Sequence, residues 1–215
     1  MRRTLTTTFL AVTAAVALTA CTASGQQDEE VISAEENTTT ARTPAGADDG
    51  DDDGIEVTLV DAQNAEVGTA WVDEDDGAVE VELAAGGLPP GYHGFHFHTV
   101  GECAPDSADP TDPAKVGAFL SAGGHVGGDM SDHGAHPGDL PSLLVDSSGS
   151  VDVTVRTDAV TLEELLDDDG TALMIHADRD NFAHIPERYA PAGPDEQTLK
   201  TGDAGDRIAC GVLTD

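Results

Sequence analysis

The stretch Gly91-Tyr92-His93-Gly94-Phe95-His96-Phe97-His98 decides how the chain is read. On an extended strand, residues i and i+2 share a face. Phe95 and Phe97 therefore point to one side, and His96 and His98 to the other. The phenylalanine side reads as core. The opposite side offers two imidazoles about one metal span apart, and neutral imidazole suits copper and zinc. Alternating phenylalanine alone would mark ordinary strand core; imidazoles filling the other face need a further reason, and metal binding supplies it.

Outward from this stretch the same period-two pattern recurs. Ile55-Glu56-Val57-Thr58-Leu59-Val60, Ala78-Val79-Glu80-Val81-Glu82-Leu83 and Val151-Asp152-Val153-Thr154-Val155 alternate apolar with polar, as half-buried strands do. Asp73-Glu74-Asp75-Asp76-Gly77 and Asp146-Ser147-Ser148-Gly149 read as hairpin turns between such strands. Thr161-Leu162-Glu163-Glu164-Leu165-Leu166 reads as one or two helical turns capped by Thr161. No internal repeat is evident. Short strands at regular spacing predict an all-β sandwich or flattened barrel.

All eight histidines fall between His93 and His184. His93-Gly94-Phe95-His96-Phe97-His98 resembles the metal-strand motif of the copper/zinc superoxide dismutases, and further motifs follow in that family's order. Ser121-Ala122-Gly123-Gly124-His125 resembles the segment with the metal-bridging histidine. Met174-Ile175-His176-Ala177 resembles the strand with the last copper histidine. Gly202-Asp203-Ala204-Gly205-Asp206-Arg207-Ile208-Ala209-Cys210-Gly211-Val212 resembles the C-terminal segment with the active-site arginine and a disulfide cysteine. Gly101-Glu102-Cys103 stands where the family has the other cysteine. The resemblance spans about residues 55–213.

It implies a Greek-key β-barrel or sandwich of about eight antiparallel strands with long metal-site loops. It also implies dismutation of superoxide to oxygen and hydrogen peroxide by Cu(II)/Cu(I) cycling. Copper would be held by His96, His98, His125 and His176. His125 would also exchange a proton as the metal cycles, and Arg207 would hold the anion. His93 resembles a structural histidine bonded to backbone, and Asp180 a carboxylate linking the two metal halves. His184 has no counterpart and reads as a loop residue. Zinc would be held by His125, His133, His136 and Asp139, with His136-Pro137-Gly138-Asp139 keeping the family's step. The stretch between His133 and His136 is contracted, so convergence of all four ligands, against a copper-only site, is left to the structure. A non-catalytic copper-binding envelope module and a structural sandwich with vestigial histidines are the alternative readings.

The 215 residues include 42 acidic and 9 basic ones, a formal net charge of -33. That balance excludes nucleic acid, whose binding needs Lys and Arg against phosphate. Residues 1–21 read as a secretion signal, because Arg2 and Arg3 precede a short apolar run that is a poor membrane span. Leu18-Thr19-Ala20-Cys21 resembles a bacterial lipobox, with Cys21 lipidated and the protein tethered outside the cell membrane; an ordinary signal peptide with an incidental Cys21 is the alternative. Residues 22–54 are polar and acidic and read as a disordered tether, leaving 55–215 as the domain. With Cys21 lipidated, Cys103 and Cys210 are an even pair in an exported chain. They read as a disulfide, against two free buried thiols. From Ile55 onward the cations are Lys115, Arg156, Arg179, Arg188, Lys200 and Arg207. Arg207, helped by Lys200 or Arg179, is expected to make a positive funnel in an acidic surface.

Overall fold

The computed structural model describes residues 54–214. The expected signal segment 1–21 with Cys21, and the expected tether 22–54 apart from Gly54, lie outside the described residues. The strands are β1 (Ile55–Val60), β2 (Glu66–Asp75), β3 (Ala78–Ala85), β4 (Gly91–His93), β5 (Phe95–His98), β6 (Ser107–Ala108), β7 (Val116–Gly117), β8 (Leu143–Val145), β9 (Val151–Thr157), β10 (Thr171–His176) and β11 (Arg207–Leu213). Two short helices, α1 (Leu162–Leu165) and α2 (Glu196–Thr201), lie in the loops before β10 and β11.

Seven strands form one antiparallel sheet in the order β5-β10-β11-β1-β2-β3-β9. Strand β4 runs on into β5 across Gly94 and pairs with β8, which turns directly into β9 through Asp146–Ser150. The curled sheet is thus bridged between its two ends, and β8 makes the eighth strand of the expected barrel. The alternation read from the sequence selects the inner face. Val57, Leu59, Ala70, Val72, Val79, Val81 and Leu83 are buried there with Phe95, Phe97, Leu173 and Ile175. Each large side chain in this core contributes about 1.5–3 kcal/mol by leaving water. Aliphatic residues carry most of it, as the low aromatic content requires.

Two local expectations are refined. The acidic run Asp73–Gly77 is mostly strand: β2 continues to Asp75, opposite Ala78, and only Asp76 and Gly77, at φ 51° and 75°, make the turn. Two consecutive positive φ values match the right-handed strand twist, so the ladder extends to the tip. Helix α1 is a single turn, closed by the Thr161–Glu164 capping box. Helix α2 was not expected. Its six residues show no apolar stripe, and its signals are local: Asp195 accepts from Thr198 N, and Gly202 ends it in the left-handed region.

A second, smaller cluster of Phe119, Ala122, Ala172, Met174 and Cys210 packs outside the barrel. It seats the long β5–β8 loop against the outer faces of β10 and β11. The Cys103–Cys210 disulfide, with Cα atoms 5.6 Å apart, closes a span of 107 residues and pins that loop to β11.

Candidate metal centre

Strand β5 pairs with β10 on one edge, with Met174 opposite His96 and Ala172 opposite His98. Its other edge receives two pieces of the β5–β8 loop. Val126 N donates to Phe97 O at 2.9 Å, Phe97 N to Gly138 O at 2.9 Å, and Leu140 N to Phe95 O at 3.1 Å. These bonds set His125 beside His98 and Asp139 beside His96. On β10, the register with β11 shifts between Ile175 and His176, which places His176 opposite Arg207. Bulges re-aim side chains in this way near functional sites. Every imidazole of the expected site is buried.

His96, His98, His125 and His176 present ligand atoms within 4.8 Å of one another. Each also commits one ring nitrogen elsewhere, which sets its tautomer. His98 Nδ1 donates to Gly123 O at 2.9 Å, and His176 Nδ1 to Gly205 O at 3.1 Å. Their free Nε2 atoms lie 3.2 Å apart. His96 Nε2 is held by Asp180 Oδ2 at 2.8 Å, and its Nδ1 is buried without a partner. Burial holds His98 and His176 well below the ordinary imidazole range, with neighbouring imidazoles adding to the effect. Burial likewise lowers His125, to about 3, although Asp139 opposes it. Neutral imidazoles with one outward lone pair are the form a transition metal needs.

The second cluster is centred on Asp139 Oδ1. His125 Nδ1 lies 3.0 Å from it, His133 Nδ1 3.1 Å and His136 Nδ1 3.4 Å. Ligands about 2.0 Å from a tetrahedral ion sit about 3.3 Å apart, so the spacing fits zinc. The other ring nitrogens are engaged: His133 Nε2 by Asp180 Oδ1 at 2.8 Å, and His136 Nε2 by Ser131 O at 2.9 Å. The Nδ1 atoms of His133 and His136 are buried and lack a hydrogen-bond partner, so each offers a lone pair that a cation would satisfy. His96 also falls within 4.8 Å of His125, His133 and Asp139. We place it with the four imidazoles, because that set needs its free nitrogen and His136 completes the Asp139 set. Burial opposes a charge on His133, but Asp139 and Asp180 outweigh it and hold its pKa near 9. Burial alone would raise the Asp139 and Asp180 carboxyls, yet their histidine partners hold both far below the carboxylate range. The contracted loop brings His125, His133 and His136 each within 3.4 Å of Asp139 Oδ1, while the group whose ligand atoms all lie within 4.8 Å of one another there is His96, His125, His133 and Asp139. The Asp139 Oδ2 atom organises the loop by accepting from Gly134 N at 2.7 Å and His136 N at 3.1 Å.

Asp180 touches both His96 and His133, linking the clusters as the sequence suggested. His93 is held by His176 O at 2.8 Å and Pro89 O at 2.7 Å and ligates nothing. His184 is exposed and outside both clusters. Arg207 donates to Phe119 O and Gly123 O, so the loop that carries His125 also aims the guanidinium. Burial lowers its pKa to about 10, which leaves it charged at neutral pH. The expected helpers are occupied elsewhere: Lys200 pairs with Glu196 at 2.6 Å, and Arg179 lies over the Tyr92 ring at 5.6 Å. Sequence reasoning missed the backbone of α2 as part of the site, where Leu199 O accepts from His133 N at 2.7 Å.

Comparison with known proteins agrees with this geometry. The family model described as copper/zinc superoxide dismutase (SODC) matches residues 66–213. The chain is 47% identical over 166 residues to the Cu-Zn superoxide dismutase of Mycobacterium tuberculosis, covering 73% of this chain and 68% of that one. It is 34% identical to the Escherichia coli Cu-Zn superoxide dismutase, covering 74% and 86%. Among solved structures it resembles the Cu/Zn superoxide dismutase of Brucella abortus at TM-score 0.59 and 28% identity, covering 74% and 99%. It also resembles a SOD-like protein from Bacillus subtilis at TM-score 0.57 and 30% identity, covering 74% and 98%. A family model matching residues 66–213 and a relative 47% identical over 166 residues settle the lineage: the chain belongs to the copper/zinc superoxide dismutase family.

Proposed function

We propose that this chain is a superoxide dismutase whose centre takes copper at His96, His98, His125 and His176, and zinc at His125, His133, His136 and Asp139. The observation that carries this is the set of buried imidazoles: His96, His98 and His176 are each tied to the protein through one nitrogen with the other left for a metal, and His125 stands between the two sets. Bound copper supplies single-electron redox chemistry, whereas zinc has none and supplies charge and rigidity. In the overall reaction one superoxide is oxidised to oxygen, and a second, with two protons, is reduced to hydrogen peroxide.

The chain's residues handle the anion and the protons. Arg207, opposite His176 and fixed by two carbonyls, presents paired donors of permanent charge to a small anion. His96 and His125 both reach the two clusters, and His125, with Nδ1 3.0 Å from Asp139 Oδ1, is the one assigned to both metals. Its Nδ1 lies in the Asp139 set and would face zinc, so Nε2, on the copper side, is where it could take up and return a proton. Asp180 holds the His96 and His133 rings in orientation, as outer partners of metal-ligating imidazoles do.

The reading extends to place. The Leu18-Thr19-Ala20-Cys21 lipobox supports an exported lipoprotein anchored through Cys21, acting on superoxide outside the cell membrane; the Cys103–Cys210 disulfide suits such an oxidising compartment.

Copper and zinc should be quantified on the sample used for superoxide turnover. Near-stoichiometric copper with turnover is expected. Bound copper without turnover would favour the non-catalytic binding module instead. For the anchor, Cys21→Ser should move the protein from the membrane fraction to the medium; unchanged fractionation sinks that part.

A further inference from the structure

Phe182 is a large apolar side chain that remains 41% exposed and belongs to neither core cluster. Its backbone lies at φ 52°, and so does that of Ala183. Two consecutive non-glycine residues in the left-handed region cost about 1–2 kcal/mol each, so the surroundings must impose the turn. They do: Phe182 N donates to Asp180 Oδ1 at 2.7 Å, Ala183 N to Asn181 Oδ1 at 2.8 Å, and Asn181 Nδ2 to Asp203 Oδ2 at 2.6 Å. Across from it Gly134, at φ +86°, leaves no room for a side chain. A Cβ there would stand 2.8 Å from Phe182 O.

The turn delivers the Phe182 ring to the face of His133, with centroids 6.1 Å apart and planes 12° apart. The imidazoles around His133 meet it edge-on instead, at 88° for His96, 64° for His125 and 67° for His136. We infer that Phe182 is a positioning residue for the zinc half: its ring sets the plane of the His133 imidazole, so that Nδ1 faces Asp139 while Nε2 stays on Asp180. This rests on the zinc assignment made above.

An offset aromatic pair contributes about 0.5–1.5 kcal/mol beyond area burial, which is about 2- to 13-fold in an equilibrium. The test is zinc release from the metal-loaded protein to a chromogenic chelator, with copper counted in parallel and the absorption of cobalt(II) substituted for zinc as a spectroscopic readout. Phe182→Ala and Phe182→Leu should each lose zinc about fivefold faster and alter the cobalt spectrum, with copper content unchanged. Phe182→Tyr should restore native behaviour, because what is needed is a flat ring and not merely an apolar side chain. Native release rates in Phe182→Ala, or in Phe182→Leu, would overturn the inference alone. A native protein that takes up no zinc would overturn the zinc assignment and this inference with it.

Discussion

His96, His98 and His176 stand on paired strands, whereas His133 and His136 stand on a loop outside any strand and Asp139 meets β5 through a single bridge to His96. In the first group, position follows from register. Once Phe95 and Phe97 enter the core, His96 and His98 must face the other way, and the antiparallel pairing with β10 brings His176 beside them. In the second group, position follows from single hydrogen bonds. Asp139 Oδ2 gathers Gly134 N and His136 N, and the carbonyl of Leu199 in α2 holds His133 N. The copper half should therefore tolerate changes around it and fail only when a ligand is lost. The zinc half should be sensitive to small changes in its supports.

The largest effect expected is that of His176→Ala. Loss of an outer partner alone costs about 10- to 100-fold in metal affinity or activity, so loss of the ligand should lower turnover by more than about 100-fold. The sheet should survive, because His176 closes β10 without entering the main core. Elemental analysis and circular dichroism check both halves of this statement. Native copper and turnover in the variant would break the assignment of the strand-borne half.

Breaking the disulfide comes next, since it ties a strand to a loop. Cys103→Ser with Cys210→Ser should cost about 2–5 kcal/mol of unfolding free energy, read from a denaturant titration. Turnover should fall as well, because the loop that the bridge pins contributes both carbonyls that hold Arg207. Lowered stability with native turnover would show that the small cluster around Phe119 holds the loop without the bridge.

Gly202→Ala addresses the loop-borne half. Gly202 lies at φ +57°, and a Cβ there would stand 2.1 Å from Asp180 Oδ1 and 2.4 Å from His133 Nε2. The added methyl must push Asp180 off His133, so zinc affinity should fall about tenfold, in the range for a lost outer partner. Copper content should change little. Equal loss of both metals would show that Asp180 supports His96 as strongly as His133, and the contrast between the halves would shrink.

The same contrast explains how much could be read in advance. The alternation of Phe95 to His98 and of Ile55 to Val60 is a period-two signal, and it predicted the inner face almost residue by residue. The order of the histidine motifs gave the four-imidazole set for the same reason, since each sits on or against a strand. Convergence at Asp139 was not legible. It depends on bonds from Gly134 N, from His136 N and to Leu199 O, and on the helix α2 that supplies the last of these. None of these leaves a periodic trace. The placement of Lys200 and Arg179 was equally hidden, because partners such as Glu196 and Tyr92 are chosen by side-chain geometry.

The smallest effect concerns the field at the mouth, and there the two halves act together. The chain carries -33 overall, and a distant negative surface repels superoxide. Arg207 is the cation at the site, with Lys200 and Arg179 tied elsewhere. Salt screens charges beyond about 10 Å at 0.1 M, so it weakens the diffuse acidic field more than the contact with Arg207. Which influence governs encounter is read from rate against ionic strength. If Arg207 dominates, the rate should fall by about a few fold as salt rises from 0.01 to 0.5 M, a range over which the screening length shrinks severalfold. Arg207→Ala should then lose that slope along with most of the turnover. A rate that rises with salt would mean that the acidic surface reaches into the mouth and that Arg207 acts only after the anion has arrived.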